Sequence, residues 1–231
     1  GLIASENFST AGLLFVVILA MLFFGRAKTK VILWIVIPIL LSGGALFYSA
    51  KTVSKETVLN LAENVSALHR LPTWVNRLQK DNSMPEDPNE YDVASNQQVA
   101  HAQIAIATSN IVGKGPGKSI ERDYLPAAHS DFIYAIIIEE MGIEGAIFVV
   151  LLYIFLLYRT WRIANKCATR FPAYLAMGLA TMLVTQALIN MGVAVGMLPV
   201  TGQPLPLISK GGTSTIITCV YIGMIISVSR S

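Results

Sequence analysis

Carboxylates are scarce in this chain, and three of them stand where chemistry is possible. Asp131 follows His129 and Ser130 and opens a long apolar run, and Glu139 and Glu140 lie inside that run. A carboxylate at the edge of an apolar segment is costly and is by default a functional candidate. Within reach of a hydroxyl, it can act as a general base. Just upstream, the stretch VGKGPGKSIERDYLPAAHSDF begins at Val112 and sets Lys114 and Lys118 among three glycines. Glycines permit close backbone approach, and the two cations suit an anionic group such as a pyrophosphate. The stretch is not a P-loop, because the Gly-Lys-Ser at 117–119 would need glycine at position 112, where Val112 stands. It is not a dinucleotide fingerprint either, since no strand precedes it.

Each of these features also has a plainer reading. The glycine-rich stretch can be a solvated turn, and Asp131 with Ser130 can cap the helix that follows. The glutamates can hydrogen-bond at a helix contact opened by Gly142 and Gly145. A third candidate region is the link MLPVTGQPLPLISKGGTST from Met197 to Thr215, where Pro199, Pro204 and Pro206 forbid regular helix. Non-helical backbone at membrane depth persists only where protein buries it or where it lines a cavity, so a re-entrant segment is expected. Ser209, Lys210, Thr213 and Ser214 are its polar lining candidates, with Thr213 or Ser214 alternatively capping the last helix. The candidate catalytic residue is therefore Asp131. Lys114, Lys118, His129, Glu139, Glu140, Ser209, Lys210 and Thr213 are the candidate substrate-binding residues.

The elements that must position these side chains are membrane helices. Hydrophobic residues make up 54% of the chain and charged residues 13%, against roughly 25% charged in soluble domains. Apart from Glu139, Glu140 and Glu144 in the third, the charges are excluded from five apolar segments: Ser9 to Gly25, Val31 to Ala50, Phe132 to Tyr158, Tyr174 to Leu198 and Thr213 to Val228. Each approaches the ~20 residues needed to span a bilayer. The expected fold is all-α and polytopic, a single membrane domain over residues 1–231 with a large extracytoplasmic loop at 51–130. The chain opens Gly-Leu-Ile with neither Met nor a signal-peptide pattern, which reads as a piece of a longer protein lacking its N-terminal half. A net charge of +3 without a basic-aromatic run argues against nucleic acid. Cys167 and Cys219 do not form a disulfide framework.

Orientation follows from the basic residues. Arg26, Lys28 and Lys30 follow the first segment, and Arg159, Arg162, Lys166 and Arg170 follow the third, with no acid in either link. Those links are expected to face the cytoplasm. The link at 201–212 carries only Lys210, and the connection from Lys51 to Asp131 holds eight bases against ten acids, so both face outward. Within that connection Thr57 to Gln79 is expected to be an amphipathic surface helix, Asp81 to Tyr91 an acidic loop, and Gln97 to Ile111 a segment that packs on the bundle without spanning it. If Asp131 to Arg159 is one helix, its 29 residues cover about 43 Å, which places Glu139 near the outer boundary and Asp131 roughly 12 Å beyond it.

These runs bring a family into view. LPAAHSDFIYAIIIEEMGIEG (Leu125 to Gly145) resembles the SEDS signature LPExHTDFIFAxxxEELGxxG, and NMGVAVGMLPVTGQPLPLISKGGTS (Asn190 to Ser214) resembles NxGVxxGLLPxTGxPLPFxSYGGSS. ENFSTA (Glu6 to Ala11) is similar to the family's PDxGTA, and Trp74, Arg77, Asp87 and Pro88 fall in family order. In this chain Ala127 stands for the motif's Glu, Ser130 for its Thr and Lys210 for its aromatic residue, and Ser109 and Asn110 stand where two glycines are usual. The motif's Asp is kept as Asp131. The resemblance implies a SEDS peptidoglycan glycosyltransferase, FtsW-like with RodA-like as the near alternative, having ten transmembrane helices of which this chain holds the last five.

By that resemblance the protein polymerises lipid II on the outer face of the bacterial cytoplasmic membrane. A sugar hydroxyl displaces a polyprenyl pyrophosphate with inversion, which calls for a base at the hydroxyl and positive charge at the leaving group. The implied partners are a class B penicillin-binding protein as transpeptidase, other divisome or elongation proteins, lipid II and membrane lipid. A divalent cation, Mg or Mn, is the implied cofactor, with no organic cofactor and no ligand cluster to identify a metal site. Two rival functions remain open, a lipid II flippase and a non-catalytic scaffold for the transpeptidase. Transporters tend to place polar groups near the midplane on broken, repeat-related helices. The outward gathering of polar residues here, with no repeat, favours the enzyme.

Overall fold

A computed structural model describes residues 8–30, 32–38, 97–125, 129–198 and 200–230. Among these the only regular elements are helices, in keeping with the all-α expectation. The chain divides into two compact units, Gly1–Met84 and Pro85–Ser231.

In the first unit, helix α1 spans Phe8–Phe24. It is apolar on every side, and Val16, Ile18 and Phe23 are exposed, the pattern of a helix whose surroundings are themselves apolar. It stops at Gly25 and Arg26, where Arg26 adopts φ 53° and the Ala27 amide donates to the Leu22 carbonyl over 3.0 Å. A left-handed residue just past the last turn is a common helix terminator. Helix resumes over residues 29–30 and 32–38, at the start of the second apolar segment. The rest of that segment lies outside the described residues, as do the expected surface helix Thr57 to Gln79, the acidic loop Asp81 to Tyr91 and most of the 51–130 loop.

The second unit holds α2 (Gln97–Ala107), a 3₁₀ turn (Glu121–Asp123), α3 (Ile133–Ala164), α4 (Arg170–Ala194) and α5 (Gly212–Val228). With 32 and 25 residues, α3 and α4 are long and apolar enough to cross a membrane, while α1 and α5 are shorter apolar helices. α4 packs against both α3 and α5, and α2 lies on α3, so the Gln97 to Ile111 segment packs on its neighbours as expected. Ala176, Ala180, Ala187 and Ala194 on α4 are all at most 1% exposed. Small side chains let apolar helices approach closely where no hydrophobic effect drives them together.

The main core joins Phe132, Tyr134, Ala135 and Ile138 of the α3 end to Ala102 and Ala105 of α2, Ala187 and Met191 of α4, and Leu205 of the irregular link. This core fixes the candidate residues of the 129–131 and 205–210 segments in relation to α3 and α4. Two features differ from a simple span. The helix starts at Ile133 with Phe132 as its N-cap residue, so the capping role considered for Ser130 and Asp131 is not the one seen. It also breaks at Gly142, which has φ 68° and ψ −164°, so 1.5 Å per residue does not carry the depth estimate from Arg159 out to Asp131. That backbone region is open essentially to glycine alone.

Candidate functional site

Asp131 sits where the approach to α3 meets the irregular link after α4. Each carbonyl of the tripeptide 129–131 accepts a hydrogen bond from that C-terminal region. The Lys210 amide donates to His129 O over 2.8 Å, Ser209 Oγ to Ser130 O over 2.5 Å, and Asn190 Nδ2 to Asp131 O over 2.7 Å. The carboxylate itself accepts from Ser130 Oγ at Oδ1 over 2.7 Å. Its Oδ2 faces Gly202, where a β-carbon would stand 3.7 Å away. The backbone of Asp131 is thus held from outside its own helix, and its side chain is half-buried rather than sealed.

The link itself is held by side chains. Pro204 and Pro206 lack amide protons, so no helix can satisfy this backbone, and its buried carbonyls need other donors. Asn190 Nδ2 donates to Gln203 O over 2.7 Å, Gln186 Nε2 to Pro204 O over 3.0 Å, and Tyr153 Oη to Pro206 O. Ser209 Oγ also accepts the Leu205 amide over 2.7 Å. Asn190, Gln186 and Tyr153 were not among the candidates read from sequence. Their signal was present, since polar side chains inside apolar segments are expensive unless they have work to do.

Two helical turns further along α3, Glu139 organises the glycine-rich loop. Its carboxylate is fully buried and accepts from Lys114 Nζ at 2.7 Å, Ser119 Oγ at 2.5 Å and the Ile120 amide at 3.1 Å. Lys114 Nζ also donates to Thr108 Oγ1 over 3.0 Å. The carbonyls of Glu139 and Glu140 at the helix break accept the Lys114 and Gly115 amides over 2.9 and 2.8 Å. Ser119 completes this clamp and was not singled out in the sequence. Nearby, His101 Nδ1 and Glu121 Oε2 pair at 2.6 Å, with Tyr124 stacked on the imidazole, tying α2 to the 3₁₀ turn.

The structure therefore places the candidates in two groups. His129, Asp131, Ser209 and Lys210 share one junction, with the side chains of His129 and Lys210 exposed. Lys114, Glu139 and Glu140 belong to the loop clamp, from which Lys118 projects exposed. Thr213 is exposed in the first turn of α5. Among the described residues no group of three or more His, Cys, Asp or Glu side chains could hold a metal ion.

An Asp presented by an anchored tripeptide beside an irregular, proline-rich link, on two long apolar helices, belongs to a membrane-associated helical protein, and the family model it matches is that of FtsW/RodA/SpoVE. The chain belongs to that family, described as cell cycle proteins, whose model matches residues 1–231.

Among curated relatives, the chain is 35% identical over 233 residues to the "Probable peptidoglycan glycosyltransferase FtsW" of Nitrosococcus halophilus, covering 98% of this chain and 53% of that protein. It is 41% identical over 145 residues to the protein of the same name from Bacillus subtilis, covering 62% of this chain and 36% of the relative. The chain thus spans about half, or less, of the length of the curated relatives it matches. A solved structure described as "Structural coordination of polymerization and crosslinking by a peptidoglycan synthase complex" matches with a TM-score of 0.66 and 25% identity, over 99% of this chain and 57% of that one.

Proposed function

We propose that this chain forms the C-terminal part of an inverting peptidoglycan glycosyltransferase that polymerises lipid II on the outer face of the bacterial cytoplasmic membrane. The acceptor hydroxyl loses its proton to Asp131 as its oxygen bonds to the donor's anomeric carbon. The bond from that carbon to the pyrophosphate oxygen breaks, and its electron pair leaves with the polyprenyl pyrophosphate. Lys210 and Lys118 supply positive charge on the same outward side, which favours departure of the anion, and His129 lines the site beside them. Ser209, Thr213, Lys114, Glu139 and Glu140 shape the surroundings. Mg²⁺ is commonly held by one or two carboxylates together with substrate phosphates, and Asp131 would supply the carboxylate for a cation bound with the substrate's pyrophosphate.

The observation that carries this reading is the anchoring of Asp131. Three hydrogen bonds fix its tripeptide, and Phe132 rather than Asp131 stands at the helix N-cap, so the carboxylate is presented without serving the helix. The names of the relatives supply the reaction class. The wider reading is a multi-pass inner-membrane protein with five spans in this chain out of ten, a single membrane domain with its 51–130 loop outside, and a class B penicillin-binding protein as partner. A matched structure described as a synthase complex supports a crosslinking partner. FtsW-like septal duty is favoured over elongation by the names of the relatives.

The test is Asp131→Asn in the full-length protein with its transpeptidase. A lost general base typically costs ~10²–10⁴-fold in rate. Polymer formed from labelled lipid II should fall by that much while melting temperature and partner binding stay native. Near-native polymerisation would remove Asp131 from the mechanism. Lipid translocation without polymer formation by the unmodified protein would point to a flippase instead.

A further inference from the structure

Asn190 is 1% exposed on α4, eight residues before the breaker Leu198–Pro199, and its side chain does something an interior asparagine seldom does. Both amide protons are committed to main-chain carbonyls of different segments, Asp131 O and Gln203 O, each at 2.7 Å. Two carbonyl oxygens at that distance can be faced only by the nitrogen, so the amide orientation is set by its neighbours rather than chosen. The other end confirms the direction of the constraint. Oδ1 is buried and has no hydrogen-bond partner among the described residues. The side chain is kept for its nitrogen, at the expense of its oxygen.

The segments joined in this way are the ones that flank the carboxylate. Asp131 Oδ2 faces Gly202, the residue before Gln203. One amide group thereby sets the separation between the base and the loop opposite it, from a helix that carries neither. We infer that Asn190 is a positioning residue for the reaction, holding Asp131 and the 202–203 backbone at the spacing that the acceptor hydroxyl must enter. The inference rests on the reading of Asp131 as general base. The remaining two anchors, Ser209 to Ser130 O and the Lys210 amide to His129 O, hold the tripeptide in place without touching Asp131's own carbonyl. Loss of Asn190 therefore loosens the carboxylate without releasing the segment.

The experiment uses the full-length protein with its transpeptidase, labelled lipid II as substrate, and the variants Asn190→Ala, Asn190→Ser and Asn190→Leu. A displacement of about 1 Å at a reacting group can cost ~10²-fold in rate. Asn190→Ala and Asn190→Leu should lose kcat by about that factor with KM within about twofold of native. Serine keeps one donor, so Asn190→Ser should retain more kcat than either. A merely structural role would lower the amount of assembled protein and leave kcat per folded molecule unchanged. Native kcat in Asn190→Ala, or a loss carried by KM or by the folded fraction, overturns the inference, as does failure of all three variants to assemble. Asp131→Asn is run alongside. If it polymerises normally, the general-base reading fails whatever Asn190 does. If it is inactive while Asn190→Ala is native, only the positioning role fails.

Discussion

Gly113 and Gly142 occupy each other's side-chain space. A β-carbon on Gly113 would lie 2.4 Å from the Gly142 nitrogen, and one on Gly142 would lie 2.6 Å from the Gly113 nitrogen and 2.1 Å from the Ile111 oxygen. Both residues have positive φ, 78° and 68°. The glycine-rich loop is therefore seated against the break in α3, not draped over it, and its amides occupy the carbonyls exposed there.

This seating makes a prediction that separates strain from contact. Gly142→Ala and Gly113→Ala should each prevent assembly or lower the melting temperature sharply, because backbone atoms on both sides block the new methyl. Gly117 also has positive φ, at 75°, but a β-carbon there meets nothing within 4 Å. Gly117→Ala should cost only the left-handed strain, about 1–2 kcal/mol. Thermal unfolding in detergent measures all three, and equal effects at 113, 117 and 142 would show that the loop is not seated as described.

The two lysines of the loop should separate as well. Lys114 is paired with the buried Glu139, so Lys114→Gln should first destabilise the protein. Breaking a buried pair costs ~3–5 kcal/mol, and the lower figure is expected because the Lys114 side chain keeps 24% exposure. Lys118→Gln should leave the melting temperature unchanged and weaken binding of lipid II. Affinity and melting curves on the two single variants settle the matter. An unaltered affinity in Lys118→Gln would return Lys118 to an ordinary surface role.

Orientation is checked by thiol labelling in intact cells. In a background without Cys167 and Cys219, single cysteines at Lys28 and Lys166 should be shielded from impermeant reagents. Cysteines at Asn82 and at the exposed Lys118 should react. Labelling of the first pair alone would invert the map and place Asp131 on the cytoplasmic side.

The sequence was most legible where apolar residues run unbroken. Segments expected from Phe132, Tyr174 and Thr213 correspond to helices beginning at Ile133, Arg170 and Gly212, since exclusion of charge marks such helices to within a few residues. The break at Gly142 was hidden, because glycine is tolerated inside membrane helices and only its dihedral angles distinguish a kink from a packing site. The glycines of the 113–117 loop are expected to permit close backbone approach, and Gly113 does so, since a β-carbon there would lie 2.4 Å from the Glu140 oxygen and the Gly142 nitrogen. Asn190 appeared only as a letter in a motif. Its role depends on two carbonyls, 59 positions before it and 13 after it, and no local pattern encodes that meeting.

The reciprocal fit of Gly113 and Gly142 also constrains how this part of the molecule can be exchanged. Residues 111–115 and 139–142 form one structural unit although 23 residues of other chain separate them. A chimera that takes the loop from one relative and the helix start from another would have to find two surfaces that were never fitted to each other. Transplanting both together, with Ser119 to close on Glu139, should carry the arrangement intact into a foreign background. The practical boundary for grafting therefore runs through space around the broken turn, and a cut chosen from the linear order alone would divide it.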